Sequence, residues 1–315
     1  MARWRTKSGT RTLLQISAGI ATSFQLAACL GGGSGAGPSG STGAALGGSI
    51  GVSATPVEDP SPSPTPTPSV TPSPSPSPSP SPSPTFLNSK SVILNGSNQY
   101  LTQSSATGIT GYPFSFSLWI KTTAAVSQTY IALNRATVSN VYYRVRVLSN
   151  GTVRLEAANT TQRSATSSAT VNDGNWHHIV AVFASASSRL LYVDGAPDGS
   201  SAPSVNFHAS ATALTIGRNG GSTPGIYANG QIDEISIFNS ALGAPEVVAL
   251  YGAGSPMDPT ANSGNYVSST ALMNWWRMGD LAGDDPLTGF ADGKGSSALQ
   301  PAGLDLNSVD SISAP

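Results

Sequence analysis

Apolar and polar positions change in short runs along much of the chain, and the clearest example is the stretch from Asn175 to Gly195. It contains two apolar runs, Ile179–Phe183 and Leu190–Val193, separated by small polar residues. Short β-branched and aromatic runs bounded by turn formers are typical of strands, and two in succession predict a hairpin. The first run is apolar at every position, so we expect a central strand covered on both faces, with Trp176 and Val180 in the core.

Two dipeptides predict tight hairpin turns. Asp194-Gly195 ends the second apolar run, and Asn150-Gly151 separates two further strand-like runs. Both pairs tolerate the positive φ angles that such turns require.

From Phe86 onward, strand-like runs recur at short intervals with Gly, Asn and Asp between them. Besides the central hairpin, the predicted strands are Ser91–Leu94, Phe114–Ile120, Tyr130–Leu133, Tyr142–Leu148, Thr152–Glu156, Leu214–Ile216 and Ile232–Phe238. Many short strands with almost no helical periodicity indicate an all-β sandwich or jelly roll.

One helix and one late strand complete the predicted domain. Pro245 suits the first turn of a helix, and Val247, Val248 and Tyr251 form an apolar stripe behind it. Leu272–Met278 is predicted to add a strand to the same sandwich, since too little chain remains for a second core.

The N-terminal residues 1–28 have the order of a secretory signal peptide. Met1 to Arg11 carries four basic residues and no acid, and a modestly apolar stretch follows up to Ala28. That stretch is too short for a spanning helix, which needs about 20 apolar residues. Cys29 follows as the single cysteine of the chain, so it has no partner for an internal disulfide.

Leu26-Ala27-Ala28-Cys29 resembles the lipobox of bacterial lipoproteins, in which cleavage before the cysteine is coupled to lipid attachment. The resemblance implies a lipid anchor on Cys29, and several acyl chains on one residue anchor stably. Leu30 and Gly31 follow without an aspartate, which by resemblance to Gram-negative lipoproteins favours the outer membrane. We therefore expect a surface-exposed protein of the bacterial cell envelope. A chance cysteine near an ordinary cleavage site is the alternative.

Residues 29–85 are a predicted stalk between the anchor and a domain at 86–315. Gly31 to Gly51 is rich in Gly, Ser and Ala, a composition typical of a flexible, disordered coil. Pro60 to Pro84 has proline at nearly every second position, which predicts a stiff polyproline II rod. At about 3.1 Å per residue it would span roughly 75 Å.

The charge balance bears on possible partners. Removing the four basic residues of the N-terminal segment from the formal net charge of −1 leaves −5 for the remaining chain. The sequence shows no basic patch, which argues against nucleic acid as a partner.

Six blocks occur in the order seen in laminin-G-like domains of the concanavalin A-like lectin/glucanase superfamily. They are Val92–Tyr100, Phe114–Lys121, Trp176–Phe183, Leu191–Gly195, Leu214–Arg218 and Gly230–Tyr251. The resemblance implies a jelly-roll sandwich of two antiparallel sheets. It also implies an extracellular binding module, with carbohydrate as the leading ligand class. A structural or adhesive module with a protein ligand is the alternative, and a glycan-degrading enzyme is less expected.

Glucanases of the related fold carry catalytic acids in the spacing E-x-D-x-x-E on one strand. The nearest stretch here has Gln231 and Ser236 where the glutamates would stand. On a regular strand Glu234 would also point to the face opposite Asp233, so the required carboxylate pair is not expected. We therefore predict no catalytic residues.

Calcium is the one cofactor that the resemblance suggests, with Asn95 and Asp233 as candidate ligands. Asn95 replaces a family carboxylate, which would weaken a site for a hard cation. Asp233 as a structural acid is the alternative. His177 and His178 are adjacent and would face opposite ways on a strand, so no shared metal is expected. A cluster of later acids is predicted to be a solvated turn: Asp280, Asp284, Asp285 and Asp292.

Aromatic rings that stack on sugars are the remaining candidates for ligand contacts. The candidates are Tyr142, Tyr143 and Tyr227. The alternative for each is that its ring packs in the core instead of contacting a ligand. Tyr227 lies between glycines, in a loop composition where binding residues concentrate.

Overall fold

The computed structural model describes residue 51, residues 86–103, residues 107–310 and residues 314–315. The predictions on the signal peptide, Cys29 and the stalk therefore lie outside the described residues. Within that part of the chain the elements are β1 (Ser91–Asn95), β2 (Tyr100–Gln103), β3 (Phe114–Lys121), β4 (Gln128–Asn134), β5 (Val141–Val147), β6 (Thr152–Asn159), β7 (Thr161–Thr170), β8 (Trp176–Ser185), β9 (Ser188–Val193), β10 (Ala196–Ser201), β11 (Ala213–Ile216), β12 (Asn229–Phe238), α1 (Ala244–Tyr251), β13 (Leu272–Trp276), β14 (Leu299–Ala302) and β15 (Val309–Asp310).

These strands form two antiparallel sheets. The eight-stranded sheet has the order β10-β9-β8-β3-β12-β1-β15, with β13 paired to β12 outside this path. The seven-stranded sheet has the order β14-β2-β11-β4-β5-β6-β7. The predicted all-β sandwich of two antiparallel sheets is confirmed.

The main core lies between the two sheets. Phe114, Phe116 and Leu118 alternate along β3 and point into it, facing residues such as Val145 from the seven-stranded sheet. A cluster of aromatic rings closes one end, with centroids between 4.5 and 6.1 Å apart: Tyr112, Phe114, Tyr143, Phe183 and Phe207. Such pairs contribute about 0.5–1.5 kcal/mol each beyond burial.

The central strand β8 is covered on both faces, as its composition predicted. Ile179 and Phe183 lie in the main core, whereas Val180 and Val182 belong to a second apolar cluster on the outer face of the eight-stranded sheet. That cluster includes residues of α1 and of the segment that follows it. Trp176 belongs to neither cluster and is half-buried at the start of the strand. The prediction that it is a core residue is wrong: it pairs with Lys121 at the first position of β8, where the next residue, His177, is also only partly buried.

Both predicted hairpin turns are present. Val193 pairs with Ala196, and the intervening Asp194 and Gly195 have φ angles of 50° and 79°. At the other turn, Leu148 donates its N–H to the carbonyl of Thr152 and Gly151 has a φ of 83°. That loop therefore has three residues rather than two, with glycine in the left-handed position.

The helix and the late strand are also confirmed, with one correction. Pro245 lies in the first turn of α1, and β13 pairs with β12. Val247 and Leu250 are the buried residues of the helix, whereas Val248 is 54% exposed. The apolar stripe therefore includes Leu250 in place of Val248.

Of the four late acidic residues, only Asp285 accepts hydrogen bonds solely within its own exposed turn; the prediction of a solvated turn is wrong for the other three. Asp280 accepts hydrogen bonds from the backbone N–H groups of Ser89 and Lys90, and Asp284 accepts three more from its own loop. Asp292 accepts from the N–H of Trp275. These carboxylates satisfy backbone donors that would otherwise lack partners.

No helix in the described part of the chain has the length and apolar character that crossing a membrane requires.

Candidate functional site

The outer face of the seven-stranded sheet carries charged side chains from two adjacent strands. On β5 the valines and Tyr143 lie in the core, so alternation turns Arg144 and Arg146 outward. Arg154 and Glu156 project from β6 on the same side, because Arg144 pairs with Glu156 and Arg146 with Arg154. We call these four residues the arginine face.

On the arginine face a single carboxylate, that of Glu156, lies within 4.0 Å of three guanidinium groups. Glu156 is fully buried; its Oε2 lies 2.5 Å from Arg144 Nε, and its Oε1 lies 3.4 Å from Arg146 Nη1. Arg154 Nη1 is 4.0 Å from the same carboxylate. Burial lowers the pKa of Arg146, an effect that Glu156 opposes and the two neighbouring arginines reinforce. The Nε of Arg146 is buried and has no hydrogen-bond partner.

The sequence contained a usable signal for this group. Arg144 and Arg146 lie on one predicted strand and Arg154 and Glu156 on the next, and on each strand apolar residues occupy the positions between them. Alternation alone would have placed all four on one face. The site was not predicted because the patterns for sugar stacking and for carboxylate chemistry do not include arginine.

Two of the three selected tyrosines are poorly placed for stacking on a ligand. Tyr143 is fully buried in the main core, where its hydroxyl accepts from the N–H of His208 and burial raises its pKa. Tyr142 is 8% exposed; Arg144 covers its ring at 3.8 Å and its hydroxyl donates to Gln162. Both rings are therefore covered, as the core-packing alternative predicted for Tyr143: its ring packs against Phe114 and Phe183 of the opposite sheet.

A short hairpin covers part of this sheet face. Asn219 and Gly225 form a β-bridge, and Thr223 near the tip donates its N–H to Ser139 at 3.1 Å. The Oδ1 of Asn219 accepts a hydrogen bond of 2.6 Å from Arg144. A side chain at Gly220 would collide with Asn134, so glycine allows the hairpin to lie this close to the sheet. Arg144 is therefore covered, whereas the side chain of Arg154 is 33% exposed.

An aromatic group lies at the other end of the same face. Tyr100 projects outward from β2, because its neighbour Leu101 is in the main core. The ring centroid of Tyr227 is 6.3 Å from that of Tyr100, and the guanidinium of Arg218 lies 3.6 Å above the Tyr100 ring. Both tyrosines are partly exposed. We call Tyr100, Arg218 and Tyr227 the aromatic end; Tyr227 remains a candidate ligand contact.

The carboxylates of Asp233 and Glu234 form a second titratable group, outside the seven-stranded sheet. A bulge in β12 gives Glu234 a φ of 47° and directs both side chains to the outer side of the eight-stranded sheet. The prediction that they face opposite ways is wrong, because the extra residue breaks the alternation. Glu234 accepts from Trp275 Nε1 at 2.5 Å and from Arg277 Nε at 3.0 Å. Burial raises the pKa of Glu234 to about 7 and also raises that of Asp233.

A cleft of about 920 Å³ lies beside these carboxylates. Its lining includes Phe86 and Trp275, whose ring centroids are 6.1 Å apart, and Arg277. Arg277 donates to the carbonyl of Leu87, and Asn88 donates to Asp233 at 3.0 Å. The polar groups around this cleft thus hold residues 87–90 against the sandwich.

The histidines have structural partners. Ser117 Oγ and His178 Nε2 are 2.8 Å apart, but both residues are buried and burial lowers the pKa of His178 to about 3. Asp194 bonds the backbone N–H of His178 rather than its ring, so it does not orient this pair as a catalytic triad requires. His177 lies between Asp194 and Asp173, at 2.8 and 3.1 Å.

The candidate calcium ligands are not brought together. Asn95 lies opposite Asn229 on β12. Asp233 lies on the same strand, four residues further along the chain. The side chain of Asn95 instead accepts hydrogen bonds from the backbone of its own turn. Among the described residues no group of three or more His, Cys, Asp or Glu side chains is placed to hold a metal. Calcium binding stays a prediction, and the structure does not bring its two candidate ligands, Asn95 and Asp233, together.

The two antiparallel sheets, packed face to face around one core, form a jelly-roll β-sandwich. Residues 95–248 match the Laminin_G_3 family model, described as the concanavalin A-like lectin/glucanase superfamily. The six sequence blocks predicted this similarity, which covers 154 of the 315 residues.

Two solved structures are similar to this chain at low sequence identity. A proposed carbohydrate-binding protein from Bacteroides ovatus superposes with a TM-score of 0.54 at 16% identity, over 72% of this chain and 61% of that one. The present chain thus spans less than two thirds of that structure. The heptameric pentraxin of Limulus polyphemus gives a TM-score of 0.47 at 12% identity, over 68% and 95% of the two chains. No curated protein matched the chain.

Proposed function

We propose that the sandwich domain is a carbohydrate-binding module whose ligand lies across the outer face of the seven-stranded sheet. The observation that carries the proposal is the combination, on one sheet face, of two partly exposed tyrosine rings with arginine side chains. Sugar recognition uses these two elements, since a ring stacks on the apolar side of a pyranose and polar groups bond its hydroxyls.

The similarity to the Bacteroides ovatus protein supports the same function, because its name assigns it to carbohydrate binding. The superfamily description also includes lectins.

A glycan array probed with the full-length protein in detergent tests the proposal. We expect binding to a defined subset of glycans, lost in Tyr227→Ala and Tyr100→Ala. Val248→Ala removes an exposed apolar side chain on α1, away from the proposed face, and serves as the matched control. Absence of binding to every glycan, or equal loss in the control, would contradict the proposal.

We also propose that the module is held at the bacterial cell surface by lipid on Cys29. The basic N-terminal segment, the apolar stretch and Leu26-Ala27-Ala28-Cys29 support this anchor, and the proline-rich segment would hold the domain away from the membrane. Cys29→Ala should move the protein from the membrane to the soluble fraction. Ser34→Ala, in the adjacent glycine-rich segment, should leave the distribution unchanged. A cysteine variant that stays in the membrane fraction would refute the lipid anchor.

A further inference from the structure

Charge is distributed unequally between the two sheets. The strands of the seven-stranded sheet carry four arginines, at 144, 146, 154 and 163, and one acid, Glu156. The strands of the eight-stranded sheet carry two basic residues, Lys121 and Arg189, and four acids, at 198, 233, 234 and 310. The chain as a whole has a formal net charge of −1, whereas the strands of the seven-stranded sheet are net positive.

The arginine face has more positive charge and more donors than its own residues can satisfy. Each guanidinium carries five N–H donors, whereas the carboxylate of Glu156 offers about four acceptor positions. Gln162 also donates to Glu156, at 3.2 Å, which leaves still fewer of those positions for arginine. The Nε atoms of Arg146 and of Arg218 at the aromatic end are buried without a hydrogen-bond partner. Buried donors of this kind lower stability until an acceptor reaches them.

A ligand that complements the arginine face would therefore supply hydrogen-bond acceptors that carry negative charge. Carboxylate and sulfate oxygens match the planar fork of arginine and form charge-assisted bonds, which are about twice as strong as neutral ones. The hydroxyl groups of a neutral sugar would supply acceptors without compensating the charge.

We propose that the ligand of this face is an acidic oligosaccharide, with carboxylate or sulfate groups at Arg146 and Arg154 and a sugar ring stacked at the aromatic end. This inference rests on the proposed carbohydrate-binding function and names the chemical class of the ligand. Strands β2 and β5 are three strand spacings apart in the sheet order, roughly 14 Å. That separation is longer than one sugar ring, so an oligosaccharide is required to reach both ends.

Titration calorimetry with the full-length protein in detergent tests the inference with two matched pairs of probes. Oligogalacturonate is compared with its methyl ester, and dextran sulfate with dextran, so that each pair differs in charge. We expect the charged member of at least one pair to bind more tightly, with an affinity that falls as salt is added. The pair that shows the difference distinguishes carboxylate from sulfate.

Variants locate the contact. Arg154→Ala should weaken binding of the charged probe about ten- to a hundredfold, because a charge-assisted bond is lost from a partly exposed side chain. Arg154→Lys keeps the positive charge but not the planar guanidinium that can bind an anion with two N–H groups. This variant should therefore bind the charged probe more tightly than Arg154→Ala and more weakly than the parent. Arg163→Ala is the matched control. Arg163 is exposed on β7, but it pairs with the inward-facing Ala157 and therefore lies on the opposite side of the sheet.

The outcomes separate the two proposals. Binding of neutral probes as tightly as charged ones, without salt dependence, would overturn the acidic ligand and leave carbohydrate binding intact. Equal weakening in Arg163→Ala and Arg154→Ala would show non-specific attraction and overturn the assignment to this face. Failure to bind any saccharide, in calorimetry and on the array, would overturn the proposed function itself.

Discussion

Arg144 and Glu156 lie directly opposite each other on adjacent strands, and their side chains form an ion pair with 2.5 Å between Nε and Oε2. Both side chains are almost inaccessible to solvent, at 6% and 0%. The pair lies on the outer side of the sheet, but the hairpin with Asn219 and Gly225 covers it. Glu156 is thus the buried counterion for a group of arginines, and its loss would leave their charges uncompensated.

Glu156→Gln is expected to lower the free energy of unfolding by about 3–5 kcal/mol, the usual cost of removing one partner from a buried ion pair. Urea unfolding followed by circular dichroism measures the change. Replacing Arg144 and Glu156 together by methionine should cost less than Glu156→Gln alone, because one buried cation is removed with the anion. A loss below about 1 kcal/mol in Glu156→Gln would mean that the pair behaves like an exposed one.

Tyr143→Ala and Tyr227→Ala should separate packing from binding. Tyr143 is fully buried among aromatic rings, so its truncation should cost about 3–5 kcal/mol, comparable with other large core truncations. Tyr227 is partly exposed, and its truncation should leave the urea midpoint nearly unchanged while weakening glycan binding. Loss of folding in Tyr227→Ala would identify it as a packing residue and leave the aromatic end without a tested ligand contact.

Two tryptophans provide a matched comparison for the extent of the core. Trp276 is fully buried and donates its indole N–H to the carbonyl of Ser297, whereas Trp176 is half-buried at the start of β8. Trp276→Ala should cost about 3–5 kcal/mol, and Trp176→Ala distinctly less. Thermal unfolding of both variants checks the order. An equal or larger loss at Trp176 would contradict the boundary drawn for the core.

The raised pKa of Glu234 predicts a specific dependence of stability on pH. Its pKa is about 7 in the folded protein against 4.5 without burial, so the folded state favours the protonated acid. The resulting contribution is fully present below pH 4.5 and is lost as the pH rises to about 7, by an amount on the order of a few kcal/mol. Glu234→Gln lacks this titration. Its stability relative to the parent should therefore increase between pH 4.5 and 7.

Urea unfolding of both proteins at a series of pH values measures that difference. His178 titrates in the opposite sense, since its lowered pKa of about 3 gives a contribution that is lost as the pH falls below 6.5. It is present in both proteins and cancels in the comparison. Parallel stability curves for the two proteins would show that Glu234 is not perturbed by burial.

Much of the fold could be predicted because strand formation here depends on local patterns. The runs in β3, β8 and β12 are strongly apolar, and Asp194-Gly195 determines its own turn geometry. Strand β7, with the sequence TQRSATSSAT, was missed because an edge strand needs apolar residues only where it meets the core. Of its ten residues, Ala165 and Ser167 are the two buried ones.

The candidate site could be predicted only in part. Alternation along β5 and β6 is a local property, so the arrangement of the three arginines and Glu156 is implicit in the sequence. The sequence does not indicate which tyrosines remain exposed, because Tyr142 and Tyr143 are covered by residues distant in the chain, such as Gln162 and Phe207. The position of Glu234 was also unpredictable from alternation, since one inserted residue reverses a side chain's direction.

The sequence by itself determined the all-β class of this domain, most of its strands and its principal turns, because period-two patterning and turn chemistry act between near neighbours. The tertiary structure alone decided which side chains are buried and which polar groups meet. Arg218 and Tyr100 are far apart in the chain, yet they are in contact on the seven-stranded sheet. Their contact depends on the pairing of β2 with β11, a long-range choice made by the packing of two sheets around one core.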